Sequence, residues 1–218
     1  MKRALLLSIV AGLISMSAFA QSRSVDVTGW VTWVDPSGDN TVENVDGIRD
    51  LDVDFETERG YGLGINVFWS DRISTEFAAF VVEPNLDLRF RDDTVPIGRV
   101  GSLEMIPITA TLQYHLSPEG RFDPYIGAGV AWVLFDRVDT TSDIGEIDLD
   151  SIDFDDDFGF VVNGGISIGL TQLLAINLDV KYVPVTSAAR AVVAGVGADE
   201  VDVDINPLIV SGGLSLQF

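Results

Sequence analysis

From Val25 onward, apolar residues recur at every second position in segments of about ten residues, and this happens eight times. Side chains two apart in an extended strand share a face, so each segment has one oily face and one polar or small face. In Val25–Val34, Val25, Val27, Val31 and Trp33 oppose Asp26, Thr28, Trp30 and Thr32. In Gly60–Trp69, Tyr61, Leu63, Ile65, Val67 and Trp69 oppose glycines, Asn66 and Phe68. Ile73–Val82, Met105–His115, Phe158–Leu170, Leu174–Val183 and Leu208–Phe218 repeat the pattern. The fifth segment, Tyr125–Phe135, is almost wholly apolar, which leaves its faces open. A chain built this way needs a surrounding that accepts one continuous oily face.

Eight is an even number, and the connectors alternate in length. Those at 70–72, 116–124 and 171–173 are short, whereas 35–58, 83–103, 136–157 and roughly 187–200 are long and mostly acidic. Tight turns at one end and long loops at the other are the pattern of an outer-membrane barrel. The segments have the length that spans a bilayer at a tilt of about 45°. A water-soluble β-sandwich also alternates, but it does not place aromatics at both ends of its oily faces. Tyr61, Trp69, Tyr114, Phe158, Tyr182 and Phe218 stand where two interfacial girdles belong. The expected fold is all-β, an eight-stranded antiparallel up-and-down transmembrane barrel.

Composition removes most other functions. The chain of 218 residues has no cysteine, which excludes disulfide scaffolds and thiol chemistry. It carries 34 acidic against 13 basic residues, a net charge of −21, which is no footprint for nucleic acid. No cofactor and no metal site is expected. The acidic runs at Asp50–Asp54 and Asp153–Asp157 begin like calcium loops, yet Phe55 and Phe158 stand where the loop needs glycine. Loose divalent bridging to lipopolysaccharide and a plain solvated acidic face both remain readings of these runs. Barrels that cleave lipid need a nucleophile and base near the outer leaflet. The single histidine, His115, falls at the periplasmic end, so no enzyme is expected.

The first twenty residues read as an address. Lys2 and Arg3 precede an apolar run from Ala4 to Met16, and Ala18-Phe19-Ala20 is a small-x-small cleavage site. The expected division is a signal peptide at 1–20 and a barrel domain at 21–218, exported to the outer membrane of a Gram-negative cell. Without Lys2 and Arg3 the balance is 11 basic to 34 acidic residues, and Lys181 is the one remaining lysine.

Phe218 is the last residue, and Leu216, Leu214 and Val210 keep its phase. Such an ending resembles the signal read by the barrel-insertion machinery. With it, the chain resembles the OmpW family of small outer-membrane barrels. The similar stretches are Ser70–Glu76, Ile106-Pro107 with Gln113-Tyr114, Asp123–Val130, Asn177–Tyr182 and Gly213–Phe218. The resemblance implies a monomer that lets small, mainly hydrophobic molecules cross the outer membrane. The chain departs from the family at the narrow hydrophobic point of the lumen, which falls at Ala78 and Lys181, one small and one charged.

Eight strands enclose an interior nearly filled by side chains, so a water-filled porin is not expected. A narrow channel or sideways exit through the wall remains. Beyond Val81 the apolar phase inverts: Val82, Leu86, Leu88 and Phe90, and likewise Val201, Val203 and Ile205, take the inward phase. An apolar vestibule above the bilayer accounts for this, as does a bulge that swaps faces. Trp30, Phe68 and Phe80 are expected to line the channel lower down. Leu51, Val53 and Phe55, and Ile152 and Phe154, keep the outward phase and need bulges. Pro84 and Pro107 fall on neighbouring strands, as do Pro184 and Pro207. Proline cannot donate to a strand ladder. The first pair is taken as the rim of a lateral opening, with a plain strand-end role as the other account. In the lower lumen, Glu76, Asn163, Asp179 and Lys181 face inward, and Lys181 should pair with Glu76 or Asp179. This reads as a polar plug that diverts apolar cargo, or as a stability network. The expected function is passive passage of small hydrophobic molecules, with lipid and lipopolysaccharide as surroundings. The alternative is a barrel that binds surfaces or supports the envelope without transport.

Overall fold

The computed structural model describes residues 24–36, 41–42, 51–55, 57–90, 96–140, 149–154, 156–193 and 197–218, with side chains described at 24–35, 57–85, 104–135, 156–184 and 206–218. These residues form β1 (Val25–Pro36), β2 (Thr41–Val42), β3 (Leu51–Phe55), β4 (Glu58–Ser70), β5 (Ile73–Val82), β6 (Asn85–Phe90), β7 (Pro96–His115), β8 (Phe122–Thr140), β9 (Leu149–Phe154), β10 (Asp157–Gly169), β11 (Leu174–Tyr182), β12 (Val185–Val193), β13 (Gly197–Ile205) and β14 (Pro207–Gln217). Eight of them close into an antiparallel ring in the order β1-β4-β5-β7-β8-β10-β11-β14, with β14 returning to β1. The closing pair runs from Asp26 opposite Gln217 to Pro36 opposite Pro207. Ser24 N donates to the Phe218 carbonyl at 2.8 Å, and Phe218 N to that of Val25 at 2.9 Å.

Closure gives each of the eight ring strands a neighbour on both sides, which hydrocarbon demands because it offers no hydrogen bonds of its own. It also sorts the faces. Leu63, Phe77, Leu112, Ile126, Phe160, Leu178 and Leu214 are exposed on the outside, Leu112 by 58 %. The girdle aromatics Tyr61, Trp69, Tyr114, Phe158, Tyr182 and Phe218 are exposed as well. In water such a belt would drive aggregation; in a bilayer it is the solvated face. The inward phase holds the buried polar residues. The open question of the fifth segment is settled in β8, where Asp123, Tyr125, Ala131, Val133 and Phe135 are buried and Ile126, Ala128, Val130 and Trp132 are exposed.

The periplasmic turns are held by their own polar groups. Ser70 Oγ accepts from Ile73 N at 3.2 Å, and Thr171 Oγ1 accepts from Leu174 N at 3.0 Å. At the other end the structure differs from the sequence reading. The long connectors are partly strand, with β3 paired to β6 and β12 paired to both β9 and β13. Alternation continues through them, so their backbone groups find partners across the strand rather than in water alone. Asp52 and Asp54 lie in β3 and Asp153 lies in β9, in extended strand rather than in a calcium-type loop.

The phase changes that Phe55 and Phe154 require are visible in the register. Gly60 pairs with Val82, so an unbroken ladder would set Phe55 against Asp87; it pairs with Leu86 instead. Likewise Val162 pairs with Tyr182, which would set Phe154 against Arg190, yet it pairs with Ala189. Each upper ladder is offset by one residue, and a one-residue slip reverses the face of a strand.

Candidate functional site in the barrel lumen

Inward-facing polar residues of six neighbouring strands meet at mid-height. Lys181 on β11 places Nζ 2.9 Å from Glu76 Oε2 on β5 and 2.6 Å from Asp179 Oδ1. Gln113 on β7 donates to Glu76 Oε2 at 2.8 Å, and Asn66 on β4 donates to Gln113 Oε1 at 3.0 Å. Tyr125 on β8 and Asn163 on β10 both donate to Asp179 Oδ2, at 2.8 and 2.9 Å. The indole of Trp30 lies above the ammonium, 5.8 Å from centroid to Nζ, within cation–π range. One ammonium between two carboxylates, each with further donors, is the arrangement that makes buried charge tolerable. The result is a polar disc across the lumen.

Below the disc, the periplasmic end is tied by a second chain. His115 Nδ1 lies 2.7 Å from Asp123 Oδ2, and its Nε2 lies 3.0 Å from Ser74 Oγ. Asp123 Oδ1 also accepts from Ser117 N in the following turn, at 3.2 Å. Ser74 is fully buried, and the trio ties β5, β7 and β8 together near the periplasmic turns. Phe68 and Tyr125 pack on the imidazole, with centroids at 4.9 and 5.4 Å.

Above the disc large apolar side chains join the buried hydroxyls of Thr32, Thr109 and Ser211. Trp30, Ala78 and Phe80 form a buried cluster. Val34, Val82, Met105, Val133 and Ile209 are fully buried around and beyond it. Thus Phe80 and Val82 are buried inside the barrel beyond the plug, Trp30 reaches from their cluster to the cavity beside Gly64, and Phe68 packs on His115 at the periplasmic end. The side chains of Leu86, Leu88, Phe90, Val201, Val203 and Ile205 lie outside the described residues. Their backbones are in β6 and β13, where Leu86 pairs with Phe55, Leu88 with Val53, Val201 with Ala189 and Val203 with Ser187.

Pro84 and Pro107 are both buried. Between β5 and β7 the ladder runs unbroken from Ile73–Tyr114 to Ala79–Ile108, skips two positions and resumes at Val82–Met105. It skips two more before Asn85–Ser102, where β6 takes over. The skipped positions bracket Pro107 and then Pro84. Ile106 beside this gap keeps the outward phase but is only 2 % exposed. At the other proline pair, Val183 N donates across to the Pro207 carbonyl at 3.1 Å, and Pro184 is exposed.

The sequence reading placed Glu76, Asn163, Asp179 and Lys181 inside and left out Asn66, Gln113 and Tyr125 as members of the disc. Asn66 and Gln113 carried the inward phase. Tyr125 sat on the ambiguous strand, where Asp123, two residues earlier, was the available marker of phase.

Comparison with known proteins agrees with this geometry. The model of the OmpW family matches residues 21–218. Outer membrane protein W of Vibrio cholerae serotype O1 is 26 % identical over 211 residues, covering 95 % of both chains. Outer membrane protein AlkL of Ectopseudomonas oleovorans is 28 % identical over 179 residues, covering 80 % of this chain and 74 % of that one. The crystal structure of the outer membrane protein OprG from Pseudomonas aeruginosa superposes with a TM-score of 0.79 at 23 % identity, over 91 % of this chain and 97 % of that one, a likeness of fold. A closed eight-stranded barrel with a lipid-facing belt, matched along its length, is an outer-membrane protein, and the chain belongs to the OmpW family.

Proposed function

We propose that the barrel passes small hydrophobic molecules from the cell exterior into the outer membrane, leaving sideways between β5 and β7. The observation that carries this reading is the weakened β5–β7 seam at Pro107, whose nitrogen has no proton to donate, so that the Phe80–Pro107 and Val81–Ile106 pairings are lost while the register is kept. The other ladders of the ring are continuous or shifted by a single bulge, and the two-position lapse at Pro184 and Pro207 lies beyond the end of β11 and still keeps the Val183-to-Pro207 hydrogen bond. Apolar cargo entering from above meets Phe80, Val82 and Met105, then a charged disc. Stripping an apolar molecule through that disc into a polar lower lumen is unfavourable, since apolar surface gains about 25 cal/mol per Å² by staying out of water. The wall gap offers hydrocarbon at the same height. Val81 and Ile106 close it in this state, so exit requires them to part. The barrel wall takes lipid and lipopolysaccharide as its surroundings.

A disulfide staple tests this directly, because the chain has no cysteine of its own. Val81→Cys with Ile106→Cys sets two thiols opposite each other across the gap, about 5 Å apart at Cβ. In liposomes, the oxidised double variant should lose uptake of apolar probes and regain it on reduction. A control staple at the paired positions Leu63 and Ala79 should leave uptake unchanged. Equal uptake by empty and protein-loaded liposomes would reject transport altogether and favour a surface-binding or envelope-supporting barrel.

A further inference from the structure

The hydrogen bonds of the disc fix the orientation of its amides. Glu76 Oε2 accepts from Gln113, so the Gln113 oxygen turns toward Asn66, and the Asn66 amide nitrogen donates to it. Asn66 Oδ1 is thereby turned away, and it is buried with no hydrogen-bond partner among the described residues. The indole Nε1 of Trp30 is in the same condition, on a residue only 5 % exposed. A buried polar group left without a partner costs about 1–3 kcal/mol, and two such groups line one cavity.

That cavity is bounded by Trp30, Gly64, Asn66 and Glu76, and reaches down to His115 and Asp26. About 20 Å³ of it is open to the centres of water molecules. One water needs roughly 10–15 Å³ on this measure, with two to four polar partners. Gly64 keeps the space. A Cβ there would stand 2.7 Å from Trp30 Nε1 and 3.3 Å from Glu76 Oε1. Both atoms therefore lie over the same backbone carbon, on the cavity side of the disc.

The chemistry selects the occupant. Trp30 offers a proton and needs an acceptor; Asn66 Oδ1 needs a proton, and Glu76 Oε1 is a further acceptor beside them. A bare cation cannot take the indole proton, and an anion is repelled by Glu76. A neutral molecule that both donates and accepts suits these groups, and the volume is that of one or two water molecules. We propose that Trp30, Asn66 and Glu76, over Gly64, form a binding site for a long-lived water molecule that completes the polar disc from below. The assignment does not depend on what the barrel transports.

Water-selective cross-relaxation measured on the indole protons of the refolded full-length barrel in nanodiscs tests it. The four tryptophans give separate signals, and Trp30→Phe identifies the one from Trp30. Trp33, Trp69 and Trp132 are exposed on the lipid face and serve as references. The Trp30 proton should show a cross-peak with the sign of a water bound for longer than molecular tumbling. Gly64→Ala should abolish that cross-peak while the other three indole signals stay in place. If Gly64→Ala does not fold, Asn66→Leu takes its part, since it removes an acceptor without adding a methyl group against the indole. A Trp30 proton without a water cross-peak in the folded wild type, or a cross-peak unchanged in the folded variant, overturns the proposal.

Discussion

Lys181 holds two carboxylates with one charge, so its loss should weigh more than the loss of an ordinary buried side chain. Lys181→Met leaves Glu76 and Asp179 facing each other without a counter-charge. Breaking a buried pair in this way costs about 3–5 kcal/mol. We expect that loss in urea unfolding of the barrel refolded in lipid. The triple variant with Glu76→Gln and Asp179→Asn should recover most of it, because no charge then remains to be compensated. If the single and triple variants unfold at the same urea concentration, the ion pairs are not what stabilises the disc. At this scale the sequence was informative wherever a strand mixed polar and apolar residues. Phase alone put Glu76, Asn163, Asp179 and Lys181 inside. It could not say that Lys181 contacts both carboxylates, because strand β5 and strand β11 meet only across the lumen, and their relative height is set by the stagger of the whole ring.

Among the elements, β7 and β8 leave no room between their backbones for a side chain at Gly129. A methyl group added at Gly129 would fall directly against the Ala110 carbonyl of the neighbouring strand. Gly129→Ala should therefore destabilise the barrel by about 1–3 kcal/mol, the usual cost of overpacking, and lower refolding yield measured by heat-modifiable gel mobility. A yield equal to the wild type would show that β7 and β8 can separate there without cost. The seam between β5 and β7 makes the opposite prediction. Pro107→Val supplies the N–H that proline lacks, so it should extend the ladder across the gap. Uptake of apolar probes should fall while resistance to urea rises; uptake at or above the wild-type rate would remove Pro107 from the exit route. The prolines were legible in the sequence as possible breaks, and their pairing on neighbouring strands followed from counting. That both pairs interrupt the ladder was not, nor that Val183 still donates to the Pro207 carbonyl where pairing lapses between Tyr182–Leu208 and Val185–Ile205. Nor could the long connectors be read as strands, because the one-residue offsets at Phe55 and Phe154 break the very phase that marks a strand.

For the molecule as a whole, closure and belt were readable because eight segments of bilayer length repeat the same alternation. The interior was less so. A cylinder of this size is filled by side chains from every strand, and their packing depends on register between strands far apart in sequence. Phe218 lets closure be examined in the cell. Its backbone N–H and carbonyl both bond to the first strand, and its ring is exposed. Deleting it should reduce the amount of assembled barrel in the outer membrane several-fold while leaving refolding into detergent far less affected. Equal losses in both settings would mean that the residue serves stability alone and not recognition by the insertion machinery. The expected cleavage after Ala20 is checked by N-terminal sequencing of the assembled protein, which should begin at Gln21.

The adjacency of β1 and β14 reaches beyond assembly. Ser24 and Phe218 lie one hydrogen bond apart, so the wall has a seam of covalent discontinuity but no geometric one. A short linker joining these two residues, with new ends cut into one of the exterior connectors, would preserve all eight neighbour relations and merely change where synthesis starts. The order of the strands around the ring, rather than their order along the chain, is what this architecture conserves.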